Sequence, residues 1–258
     1  MILEEFDKCR NSMINPWDIV DRIEGMPKVA LTCFERRTFS ALAENLSASE
    51  IASVSCANMV IPVYKATVDG TELALFNSYV GSAGCVGLLE EIFAMGVEKL
   101  VMFGTCGVLD PDIEDCSVII PTSAVRDEGT SYHYAPPSDE IEVNRKYTDD
   151  FRRILDSHGC RYTQGKVWTT DALYRETREK IRRRRESGCI CVDMECSAVA
   201  ALAAFRGKDV FQFFYAADNL GAEEWDARSL SNHAEPEKND RVAVLALELA
   251  LHIACETN

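Results

Sequence analysis

The sequence predicts an α/β protein, a single domain of residues 1–258 built around a parallel or mixed sheet. Three observations lead there. At about 150 residues per domain, 258 residues amount to between one and two domains, and a chain of that length can bury one large core. Short β-branched apolar runs alternate with segments of helical period, as when strands and helices take turns along a sheet. No internal repeat, low-complexity tract or linker divides the chain.

In chain order, strands are expected at 28–32, 72–77, 99–103, 117–121, 166–169 and 210–215, most of them ended by Gly, Pro, Asp or Asn. Helices are expected at 84–95, where Val86, Leu89 and Phe93 recur at spacings of three and four, and at 147–156, 175–186, 194–205 and 241–255. Residues 125–144 are irregular, with Gly, Pro, Ser and aromatic residues, and read as a functional loop or an interface arm.

Composition narrows the partners. With 42 acidic against 27 basic residues the net charge is −15, which repels phosphate polymers and anionic lipid, so neither nucleic acid nor a membrane surface is expected. A small-molecule partner fits better. The first ten residues hold no apolar stretch of a signal peptide and no run of about 18 apolar residues occurs, so a soluble protein is expected. The 11 cysteines lie largely in apolar stretches and read as reduced thiols of a cytoplasmic protein.

Four stretches could carry chemistry. Gly81 to Gly87 follows a strand and opens a helix, so its amides could face an anion, or the glycines could merely allow tight packing. Gly104-Thr105-Cys106-Gly107 ends another strand, where open α/β sheets bind ligands; Thr105 is then a hydroxyl at the cleft floor or an ordinary turn residue. In Asp193-Met194-Glu195 the acids precede a helix, which the macrodipole alone would favour. Asp218-Asn219 ends a strongly apolar strand: a desolvated carboxyl there suits proton donation near neutral pH, and Asp-Asn is also turn chemistry.

Other features read as structural. Arg182 to Arg185 point all around a helix and read as solvated or interfacial. His133, His158, His233, His252 and the Cys189/Cys191 pair lack partners at metal-ligand spacing, so no metal is expected.

These stretches in this order, together with Ile119 to Tyr134, resemble the nucleoside phosphorylase-I family across most of the chain, from Val29 to Leu220. The resemblance implies a three-layer α/β/α sandwich with a mixed central sheet, assembled as a homo-oligomer, a dimer or a hexamer. It also implies cleavage of the N-ribosidic bond of a nucleoside with phosphate as co-substrate and no other cofactor. In that scheme Asp218 is the acid for the base, with Asn219 beside it, Met194 and Glu195 hold the ribose, and Trp168 stacks on the base. Arg37, Gly81 and Thr105 contact phosphate. Asp218 and the absence of a Gln-x-Arg pair near Thr177 to Glu179 favour a purine over uridine, although Arg126 to Tyr134 resembles the uridine side of the family.

The chain departs from the pattern at the anion. Cys33-Phe34-Glu35-Arg36-Arg37 replaces a Gly-Asp-Pro-x-Arg-like loop, and Met59 and Met102 fall where two phosphate arginines are expected. Methionine cannot neutralise phosphate, and each lost guanidinium contact is worth about 1.5–3 kcal/mol. A nucleosidase that uses water, and a catalytically silent nucleoside-binding subunit, are the alternatives.

Overall fold

The computed structural model describes residues 2–231 and 236–257, so His233 lies outside the described residues. In chain order the elements are α1 (Pro16–Ile19), β1 (Val29–Cys33), α2 (Arg36–Asn45), β2 (Ser49–Cys56), β3 (Met59–Val68), β4 (Thr71–Asn77), α3 (Ser82–Met95) and β5 (Lys99–Val108). They continue with β6 (Val118–Asp127), β7 (Glu140–Glu142), α4 (Thr148–Ser157), β8 (Tyr162–Thr170), α5 (Arg178–Glu186), β9 (Cys189–Asp193), α6 (Cys196–Arg206), β10 (Asp209–Asn219) and α7 (Pro236–Cys255).

Every expected strand and helix is present, in a mixed central sheet between two helical layers. Alternation along the strands makes the layers. Leu31, Leu75, Val101 and Phe213 pack with residues of α2, α4 and α7, whereas Ala30, Ala74, Phe76, Leu100 and Met102 pack with α3 and α6. Both faces are covered, so these strands are apolar throughout.

The sheet has two halves that share β5. One is an open run, β2-β3-β4-β1-β5, in which β1 is parallel to β4 and β5 while β3 is antiparallel to both its neighbours. In the other, β5, β9, β8, β6 and β10 close into a ring because β10 pairs with β5 as well as with β6. Closure needs longer strands than the apolar runs indicate. β5 continues through Gly104 to Val108, and β6 runs past Pro121, where a register shift against β8 accommodates a residue without an N–H.

The irregular stretch 125–144 is tied down at both ends. Its first residues complete β6, and β7 pairs back onto them. All eleven cysteines are free, and no helix of the described residues is long and apolar enough to cross a membrane.

Candidate functional site

The cleft starts where β5 changes neighbours. Lys99 to Phe103 pair with β1, and Gly107 and Val108 pair with β9. Along that edge Gly104, Thr105 and Cys106 therefore have no strand partner among the described residues. Thr105 is exposed in an otherwise buried strand.

Gly104 within this gap and Gly107 at its end have no room for a Cβ unless a neighbouring side chain shifts. A Cβ on Gly104 would sit 2.6 Å from the Phe34 ring, and one on Gly107 would sit 2.2 Å from Leu220 Cδ1 and 3.0 Å from Asp218 Oδ1. Gly107→Ala is therefore expected to overpack the site at a cost of about 1–3 kcal/mol. A melting curve checks this, with a fall in Tm of about 2–4 °C per kcal/mol for a chain of this size.

Glu195 is held from three sides. β9 ends at Asp193, whose Oδ2 accepts from the amides of Glu195 (2.9 Å) and Cys196 (2.6 Å), and so caps α6. Glu195 Oε1 accepts from the Gly81 amide at 2.6 Å, and the Ser82 hydroxyl donates to the Met194 carbonyl at 2.7 Å. Gly81 adopts φ 95°, a conformation that favours glycine. Its amide, expected at phosphate, here donates to the Glu195 carboxyl. Burial and the neighbouring Asp193 charge push the Glu195 carboxyl well above its ordinary value, and burial does the same to Asp193.

A buried polar chain extends from Asp193. The Thr169 hydroxyl donates to Asp193 Oδ1 (2.7 Å) and accepts from the Ser197 amide (3.0 Å), and the Ser197 hydroxyl donates to Glu128 Oε1 (2.9 Å). Glu128 Oε2 accepts from the Ser131 amide (2.9 Å), and Arg126 Nε donates to Ser131 Oγ (2.8 Å). Arg126 also donates to the Pro136 carbonyl at 2.7 Å, so the irregular stretch is anchored to the core that positions Glu195. Sequence reasoning missed this chain, since its members are scattered between 126 and 197 and only the ring of strands brings them together.

Asp218 lies near the end of β10, 9% exposed, paired with Gly107. Val192 approaches Gly107 from the β9 side, three residues before Glu195. The segments that carry the two carboxyls thus flank the same stretch of β5. Burial raises the Asp218 pKa, opposed by a hydrogen bond from Trp225 Nε1 to Oδ2 (2.8 Å) and by the charge of Arg228. Half-buried Glu176 is pushed up to about 7 by burial and by Asp218. Asn219 uses its side-chain oxygen to accept from the Gly221 amide at 2.8 Å, holding the turn that follows.

One expected contact is placed differently, and a second is left open to solvent. Trp168 is fully buried, its Nε1 donates to Asp127 Oδ2 (3.0 Å), and Lys180 and Arg184 lie over its ring, so it offers no open face to a base. Arg37 is exposed at the start of α2, where the amides of Arg37 and Thr38 donate to the Glu35 carboxylate at 2.9 and 2.5 Å. Burial raises the Glu35 pKa, but these amides outweigh it and hold the carboxyl below its ordinary value. Met102 is a core residue of the α3/α6 side, and Met59 is exposed on the β2–β3 hairpin. Among the described residues no group of three or more His, Cys, Asp or Glu could hold a metal ion.

A model of the phosphorylase superfamily matches residues 28–254. The chain is 27% identical over 156 residues to a guanosine phosphorylase of Halorubrum lacusprofundi, covering 58% of this chain and 62% of that protein. It is 26% identical over 137 residues to a DeoD-type purine nucleoside phosphorylase of Bacillus cereus, covering 51% of this chain and 56% of the relative. The matched stretches thus span less than two thirds of both relatives. In fold, the chain is similar to a purine nucleoside phosphorylase from Toxoplasma gondii in complex with immucillin-H, with a TM-score of 0.76 at 17% identity over 90% of this chain and 93% of that one.

Proposed function

The chain belongs to the phosphorylase superfamily, and on that premise we propose that it cleaves the N-ribosidic bond of a purine nucleoside with phosphate, giving free base and ribose 1-phosphate. The observation that carries this reading is the pair of buried carboxyls, Glu195 and Asp218, on segments that flank one stretch of β5.

Breaking the C1′–N9 bond leaves positive charge on the sugar and sends the bonding electrons to the base, so catalysis must stabilise both. Glu195, fixed by Gly81 and by the Asp193 cap, accepts the ribose hydroxyls, with Met194 beneath the sugar. Asp218, whose pKa burial raises, acts in its protonated form and donates to N7, and the base leaves neutral. Phosphate, seated by exposed Thr105 and Arg37, supplies the oxygen that bonds C1′. Assembly into a homo-oligomer is part of the proposal: Met59 and Val60 on the hairpin and Val80 beside Gly81 leave large apolar side chains exposed.

A specific observation favours hydrolysis as a second reading. The Glu35 carboxylate occupies the amides at the α2 N-terminus, where an anion would otherwise sit, and Met102 is buried where a guanidinium would have reached it. The two readings separate in one assay, base release from inosine, guanosine and adenosine with and without phosphate. Phosphorolysis requires that release depend on phosphate and that ribose 1-phosphate accumulate. Equal rates in phosphate-free buffer, with free ribose as product, would establish hydrolysis instead.

A further inference from the structure

We propose that Trp225 belongs to the base subsite, its indole N–H holding Asp218 in place and its open ring providing the surface on which the purine stacks. The inference rests on the assignment of Asp218 to the nucleobase.

The geometry of the turn after β10 carries it. Trp225 Nε1 donates to Asp218 Oδ2 at 2.8 Å, yet the residue is 63% exposed. Its polar edge is therefore engaged with a buried carboxyl while its apolar face is open to water, the reverse of what core packing favours. The turn is not loose. Asn219 and Asp226 exchange backbone hydrogen bonds of 2.8 and 3.1 Å, the Asn219 side chain accepts from Gly221, and Arg228 donates to the Ile113 carbonyl at 2.8 Å.

The other tryptophans are excluded by their surroundings. Trp168 is buried beneath Lys180 and Arg184, and the Arg206 guanidinium lies 5.6 Å from the Trp17 ring centroid. Among the described residues no aromatic ring or cation covers Trp225. An indole plane beside a carboxyl that addresses N7 meets the two needs of a purine leaving group, a proton at its edge and a π surface against its face.

The test compares the full-length protein with Trp225→Ala and Trp225→Phe, by calorimetric binding of hypoxanthine and guanosine, tryptophan fluorescence and the pH profile of kcat/KM. Trp225→Ala should weaken purine binding by about ten- to a hundredfold, the range of one base–aromatic stack. Trp225→Phe keeps a ring and should bind within about threefold of the parent, and either substitution should abolish the fluorescence quench on binding.

Phenylalanine also removes the donor that favours ionised Asp218, so the alkaline limb, which reports loss of the Asp218 proton, should move up by about one pH unit. The other groups that face this carboxyl, Arg228 and Asp226 on the turn and Glu176 after β8, are unaltered in both variants. Unchanged purine affinity in Trp225→Ala, or an unmoved alkaline limb in Trp225→Phe, would overturn the proposal. Failure of the unaltered protein to bind any purine or purine nucleoside would remove the reading of the site itself, and this assignment with it.

Discussion

Asp218→Asn is expected to lower purine nucleoside turnover by about two to four orders of magnitude, the usual worth of a positioned general acid. The substitution isolates the proton. An asparagine oxygen can still accept from Trp225 Nε1, so the turn after β10 should keep its place and the melting temperature should stay close to that of the parent. What is lost is a carboxyl whose pKa burial raises above the ordinary carboxylate value. The sign of the pH dependence follows: activity that needs the protonated form falls as pH rises through the raised pKa, and this limb should vanish in the variant. A nucleoside methylated at N7 leaves as a neutral base without a proton, so its cleavage should be nearly unaffected. Steady-state rates on guanosine and 7-methylguanosine for both proteins make the comparison.

Glu195→Gln should lower kcat/KM by about a hundredfold or more, since each hydrogen bond to a charged group is worth about 1.5–3 kcal/mol and both ribose hydroxyls are involved. Glutamine retains an oxygen for the Gly81 amide, but its NH2 cannot accept from a sugar hydroxyl. Preference for ribonucleosides over 2′,3′-dideoxynucleosides should therefore collapse with the rate. In the proposed role the working form is the carboxylate, and burial with Asp193 raises its pKa, so parent activity should climb with pH through that value and the variant should lose the acid limb. Stability moves the other way. A carboxyl whose pKa is raised on folding costs stability increasingly as pH climbs above its unfolded value. At pH 8 the variant should thus be at least as heat-stable as the parent, as a melting curve would show.

The parts of the fold legible in the sequence are those buried on both faces. Leu31, Leu75, Val101 and Phe213 sit in continuous apolar runs because helices cover each side of the sheet. The β2–β3 hairpin gave no such signal, since Ser49 to Cys56 is mostly exposed. Ring closure was equally silent, because it depends on the register shift after Pro121 and on β5 continuing through its glycines. In the candidate site, Thr105 and Asp218 stood out as polar residues at the ends of apolar strands, and Glu195 as an acid just before a helix. Trp168 was singled out only by the family resemblance, but sequence does not tell which side of β8 has room, and Lys180 and Arg184 cover that side. Trp225 lies in an acidic turn with no periodicity, and its link to Asp218 exists only once the chain folds back on Asn219.

The most direct test of the account is the structure of the protein with a non-cleavable purine nucleoside analogue bound. One ligand should bridge the two carboxyls, its ribose hydroxyls within hydrogen-bond distance of Glu195 and its N7 within that distance of Asp218, about 2.6–3.2 Å each. A nucleoside bound away from either carboxyl, or reaching only one of them, would contradict it.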